Sequence, residues 1–139
     1  MCLFCDFVSG RKKKHWNDLP FIIVNQSENT ISFLSKSCPD GKKSHILVIP
    51  KLHYKNFNEL STSLRSELIE QVNLATIVIK KKYEGCNILI NDGKAADQQI
   101  NHVHFHIIPR NSNDGYILEG WPKIDVDKET FVNLSNKIK

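Results

Sequence analysis

Three histidines, His102, His104 and His106, alternate with Val103, Phe105 and Ile107 in the run His102-Val103-His104-Phe105-His106-Ile107-Ile108-Pro109-Arg110. On an extended strand successive side chains point to opposite faces, so the imidazoles share one face and the apolar residues the other. Half of the six histidines in the chain thus converge on one small patch. Imidazole is a nucleophile, a proton carrier and a metal ligand near neutral pH, so such a patch reads as a site and the opposite face as core. A second cluster of reactive types is Cys2-Leu3-Phe4-Cys5. A C-x-x-C pair supplies two thiols to a metal or packs as two small apolar residues; a zinc site needs two further ligands.

The elements that must position these residues follow from local patterns. Phe21–Val24 and Thr30–Leu34 are short β-rich runs separated by Asn25–Asn29, a predicted hairpin. Cys38-Pro39-Asp40-Gly41-Lys42-Lys43 is a turn, and His45–Pro50 is an apolar strand stopped by proline. Leu60, Leu64, Leu68, Val72, Ala75 and Ile79 form one apolar stripe, so a helix is expected over Leu60–Tyr83. Ser61 to Ser63 offer its N-cap, Lys80 to Lys82 oppose the negative end of its dipole, and Gly85 can terminate it. Asn87–Asn91 is a further strand, and Phe131, Leu134 and Ile138 predict a short last helix capped by Asp127. The order is that of an α+β fold: mostly antiparallel strands with helices on one side.

At 139 residues, 40% hydrophobic and 24% charged, the chain is expected to form a single domain over 1–139 without needing disulfides. No apolar run reaches the roughly 20 residues that span a bilayer, and no secretory h-region opens the chain. A cytoplasmic, intracellular location is expected, with Arg11–Lys14 as a weak nuclear-targeting run. The net charge of +4 suits anionic ligands. The basic clusters are short and lack interleaved aromatic residues, which argues against a nucleic-acid platform. Cys86 reads as a small buried residue and Cys38 as a free thiol.

From Cys2 to about Trp121 the chain resembles the histidine triad (HIT) family, on the complete His-x-His-x-His run followed by two apolar residues, the His45–Pro50 strand, the long helix and Asn91. The short chain is most similar to the family's small nucleotide-binding branch, the purine nucleoside phosphoramidases. The resemblance implies an antiparallel sheet of about five strands with two helices, usually in a homodimer. It implies that His104 attacks the α-phosphorus of a nucleotide and forms a nucleotidyl-histidine. The flanking His102 and His106 would bind phosphate oxygens, and water would release the monophosphate. His45 would lie near the phosphate, Asn91 near ribose and phosphate, and Asp97, Gln98 and Gln99 in the phosphate loop. Phe4, Phe7 and Phe33 would form the base pocket, where core packing is an equal alternative. The same resemblance implies a structural zinc held by Cys2, Cys5, His53 and His102. Its partners would be a purine nucleoside monophosphate or its conjugates and a second copy of the chain, with no membrane.

Two departures stand out. Ser35 replaces the acidic residue that binds the ribose hydroxyls in the family, with Asp40 as a distant substitute. Asp97-Gln98-Gln99 replaces a Gly-Gln-Ser or Gly-Gln-Thr loop, adding a carboxylate and removing a hydroxyl near the phosphate. Altered activity is therefore expected. Alternatives on the same residues are a dinucleoside polyphosphate hydrolase, an adenylate-removing hydrolase, a triad-bound catalytic metal and a non-enzymatic nucleotide sensor.

Overall fold

A computed structural model describes residues 1–139. A short helix α1 (Leu3–Val8) precedes strands β1 (Ile23–Gln26), β2 (Thr30–Leu34) and β3 (Ile46–Pro50). Helix α2 (Thr62–Lys80), strands β4 (Gly85–Ile90) and β5 (Phe105–Arg110), and helix α3 (Lys128–Lys137) follow. The five strands form one antiparallel sheet in the order β1-β2-β3-β5-β4. The fold class is α+β, as the patterning implies, but α1 and α2 cover opposite faces of the sheet rather than one side. No helix is long and apolar enough to cross a membrane.

Each face of the sheet has its own core. Leu60, just before α2, and Leu68, Val72, Ala75 and Ile79 of its stripe pack with Ile46, Val48, Val103, Phe105 and Ile107. On the opposite face Phe4 and Phe7 of α1 pack with Ile31, Phe33, Leu47 and Ile49. Central strands covered on both faces are apolar throughout, and all five residues of β3 are buried. Ser61 caps α2, its Oγ accepting from the Leu64 amide at 3.2 Å. Glu67 of α2 accepts from Ser27 Oγ (2.5 Å) and the Asn29 amide (2.8 Å), tying the β1–β2 turn to the helix.

Four local expectations shift. The first strand of the hairpin is Ile23–Gln26 rather than Phe21–Val24, and Phe21 instead stacks on Phe7 (4.6 Å between ring centres). Helix α2 ends at Lys80, and Gly85 opens β4 instead of terminating the helix. Helix α1 was not expected, because six residues are too few to show a helical period. The histidine strand starts at Phe105, so His102 and His104 lie in its lead-in. Pro50, which the register sets opposite Val103, has no N–H to extend the ladder, and its carbonyl accepts from the His102 ring instead (2.8 Å). The side-chain alternation survives: Val103, Phe105 and Ile107 all enter the α2-side core. Helix α3 forms where expected, its Asp127 cap accepting from the Thr130 amide at 2.9 Å, and it buries no residue.

Candidate active site

The site is built on the sheet face covered by α1. The register places His106 of β5 opposite Leu47 of β3, and Leu47 opposite Phe33 of β2. His45, two residues before Leu47, therefore shares that face with the triad. Phe4 of α1 sits edge-on to His104 (5.3 Å between ring centres), His102 (5.7 Å) and Phe33 (5.5 Å), wedging the triad rings against the sheet.

The hydrogen bonds determine which nitrogen of each ring is free. His104 Nδ1 lies 2.7 Å from the His102 carbonyl. A carbonyl only accepts, so Nδ1 carries the proton and Nε2 keeps its lone pair. His45 Nδ1 likewise donates to the Ser37 carbonyl at 2.8 Å. His45 Nε2 is then an acceptor and takes the proton of His106 Nδ1 at 3.1 Å, which leaves His106 Nε2 open as well. Burial pushes all of these imidazoles toward the neutral form. His106 falls to about 4, by burial first and then by His104 and His45. His104 is lowered by burial against the opposing hydrogen bond it donates to the His102 carbonyl, and His45 by burial against the one it donates to the Ser37 carbonyl. His104 is thus a neutral imidazole held by one nitrogen and free at the other, the state a nucleophile needs.

A cleft of about 450 Å³ opens beside these rings. His104, His106, His45, Asn91, Asp97, Gln99 and Phe4 line it, seven residues that the sequence singled out. Asp97 is held in the left-handed region (φ 63). Its carbonyl accepts from Asn91 Nδ2 at 3.4 Å, and its carboxylate from Gln99 Nε2. Gln98 does not line the cleft. It accepts from the Gly93 amide (2.8 Å) and donates to the carbonyls of Lys55 (2.9 Å) and Ile100 (3.1 Å), locking the loop from within. Phe7 and Phe33 are enclosed in the core rather than on the cleft wall.

His102 faces elsewhere. Its Nε2 is committed to the Pro50 carbonyl, so its Nδ1 lone pair points at Cys2 Sγ (3.4 Å) and Cys5 Sγ (3.6 Å). His53 Nδ1 lies 3.5 Å from Cys5 Sγ, and the four ligand atoms of Cys2, Cys5, His53 and His102 lie within 4.8 Å of one another. Two thiols and two imidazoles at these separations fit the tetrahedral donor set of a structural zinc, with the Pro50 carbonyl fixing the ligating tautomer of His102. Burial, then the Cys2 thiol beside it, push the Cys5 thiol up, and a bound cation would reverse that. The triad rings therefore do not converge on a single ion.

The HIT domain profile matches residues 19–113. The chain belongs to the HIT family. It is 37% identical over 120 residues to an uncharacterized HIT-like protein of Methanocaldococcus jannaschii, covering 86% of each chain. It is 32% identical over 137 residues to the adenosine 5'-monophosphoramidase hnt1 of Schizosaccharomyces pombe, covering 99% of this chain and 95% of that one. The solved zinc-bound histidine triad family protein of Mycobacterium smegmatis superposes with a TM-score of 0.71 at 30% identity, over 88% of this chain and 84% of the other.

This HIT domain also brings residues to the cleft that the sequence reading did not single out: Leu3, His15, Lys36, Ser37 and Ile100. His15 stands alone after a basic run and shows no period. Lys36 directly follows Ser35, and the only signal for it was the missing carboxylate at that neighbour.

Proposed function

We propose that this HIT protein hydrolyses conjugates of purine nucleoside monophosphates, of the adenosine 5′-phosphoramidate type, through a nucleotidyl intermediate on His104. The observation that carries the reading is the His104 ring, anchored through Nδ1 to the His102 carbonyl and open through Nε2 beside a cleft large enough for a mononucleotide. The Nε2 lone pair of His104 forms the bond to phosphorus. The bond from phosphorus to the leaving amine breaks, and the amine takes that electron pair and a proton from water in the cleft, balanced by the proton that the attacking water of the second step gives up. The His102 carbonyl accepts the hydrogen bond from Nδ1–H of the charged imidazolium and steadies it. Water then attacks phosphorus, the P–Nε2 bond breaks, and neutral His104 returns with the nucleoside monophosphate.

Asn91 stands at the same cleft and can donate from Nδ2 to phosphate or ribose oxygens, while the open Nε2 of His106 can accept the proton of the attacking water. Cys2, Cys5, His53 and His102 would hold zinc. That ion, when bound, closes a rigid structural site with no open position for chemistry. His102 is then a support for His104 rather than a proton carrier. A homodimer fits the outer strand β4, whose Ile88 and Leu89 are 54% and 37% exposed, an apolar edge that a second copy would cover.

The test is turnover of a fluorogenic adenosine phosphoramidate beside diadenosine polyphosphate, with His104→Ala as control, and mass spectrometry of acid-quenched protein for an adenylate adduct. Turnover of the phosphoramidate with an adduct that disappears in His104→Ala is expected. Wild-type turnover equal to that of His104→Ala refutes the proposal.

A further inference from the structure

The cleft does not end at the triad. Counting across the sheet from β5 through β3 to β2 covers two strand spacings, about 10 Å, which is the reach of a nucleotide from phosphorus to the far side of its sugar. At that end the wall is Ser35, Lys36 and His15, and it carries no carboxylate. Ser35 Oγ accepts from the Ser37 amide at 3.4 Å, which leaves its hydroxyl proton free to donate. Lys36 forms no ion pair, and its ammonium instead lies over the Trp16 ring, 4.7 Å from the centre. His15 is 7% exposed, and its enclosed Nε2 makes no well-formed hydrogen bond. An unpaired buried polar atom lowers stability, and the ring that carries this one forms part of the cleft wall.

Beyond His15 the surface continues into a second hollow of about 520 Å³, which shares Leu3 and His15 with the first. Its wall carries four consecutive cations, Arg11 to Lys14. Arg11 is neutralised by Asp6 (2.8 Å) and Lys14 by Asp18 (2.9 Å), whereas Lys12 and Lys13 are unpaired. Three uncompensated ammonium groups, Lys12, Lys13 and Lys36, thus flank the end of the cleft where the sugar hydroxyls of a bound nucleotide would lie. A neutral diol gains little from that field, while a phosphomonoester gains much.

We propose that this HIT protein prefers a nucleotide carrying a second phosphate on the ribose 2′- or 3′-oxygen, bound by the Lys36 ammonium and the Ser35 hydroxyl beside the His15 ring, where the two hollows meet. The proposal rests on the function proposed above, because it places the 5′-phosphate at His104. Burial first, and then the Lys36 charge, lower the His15 pKa against the opposing hydrogen bond to the Leu34 backbone, which keeps the ring neutral beside that cation.

The test compares the affinities of adenosine 5′-monophosphate, adenosine 3′,5′-bisphosphate and adenosine 2′,5′-bisphosphate by calorimetry, for the wild type and Lys36→Ala. One of the two bisphosphates is expected to bind at least about tenfold tighter than the monophosphate, the worth of one well-placed charged contact, and the isomer that does so identifies the oxygen. Lys36→Ala is expected to bring that ratio close to one, and added salt to shrink it. Monophosphate binding with a ratio near one in the wild type overturns this inference and leaves the proposed function standing. A high ratio that Lys36→Ala does not change overturns the assignment to Lys36. Failure of all three nucleotides to bind overturns the proposed function and this inference with it.

Discussion

His45 is best understood as the residue that positions His106, and its removal separates two ways in which it could act. His45→Ala deletes two hydrogen bonds, to the Ser37 carbonyl (2.8 Å) and from His106 Nδ1 (3.1 Å). At about 1 kcal/mol each, the loss is about 2 kcal/mol of folding stability, or roughly 7 °C in Tm for a domain of this size. The catalytic effect depends on what His45 does. If it only selects the His106 tautomer, its loss leaves two tautomers of similar population and kcat/KM falls about twofold. If it also holds the ring in place, a misplacement of the order of an ångström lowers kcat/KM by about 10- to 100-fold. The rings lie nearly parallel, with centres 5.2 Å apart and planes 23° from one another, so deleting one leaves a void beside the other. The larger loss is therefore expected. His45→Gln, whose side-chain carbonyl can accept from His106, should recover much of it. Steady-state kinetics on an adenosine phosphoramidate, paired with ¹⁵N chemical shifts that report the His106 tautomer, measure both effects. A His45→Ala enzyme within twofold of wild type, despite lowered Tm, refutes positioning by His45. A loss as complete as that of His104→Ala, with no recovery in His45→Gln, refutes it in the other direction.

Two further outcomes follow from the same geometry. Protein purified without chelator should contain one zinc per chain, and Cys5→Ser should lose it; with the metal at about 100 times its Kd, removal lowers stability by about 2.7 kcal/mol. Elemental analysis giving no stoichiometric metal, or a wild-type Tm indifferent to chelator, contradicts the Cys2-Cys5-His53-His102 site. The pH dependence has a definite sign. His106 sits at about 4 in the fold against 6.5 in a free chain, so between those values the unfolded chain binds the extra proton. Stability is full above about 6.5 and declines as pH falls toward 4, by an upper limit of roughly 3 kcal/mol, less whatever solvent screens around a half-buried ring. Urea midpoints at several pH values, in wild type and His106→Asn, check this; a slope unchanged by the substitution argues against it.

What the chain shows by itself is what has a short period. The two-residue alternation of His102 to Ile107 separated imidazole from core before any coordinates, and Val103, Phe105 and Ile107 do enter the α2-side core. The three-to-four-residue stripe of α2 and the Ser61 and Asp127 caps are equally local, so each was legible. Strand ends were less so, because Pro50 stops the histidine strand early through an absent N–H on a different strand. Resemblance to a family supplied His45, Asn91 and His53, none of which has a local signature, and completed the ligand set that the Cys2 and Cys5 pair only began. Tertiary structure alone divided labour within the triad. His102 turns to thiols 100 residues away in the chain, and His106 to an imidazole 61 residues away, contacts set by antiparallel register and by the packing of α1. His15 and Lys36 reached the cleft by the same route. A hydrogen-bond partner or an uncompensated charge is a property of neighbours in space, and a linear pattern records neighbours only within one element.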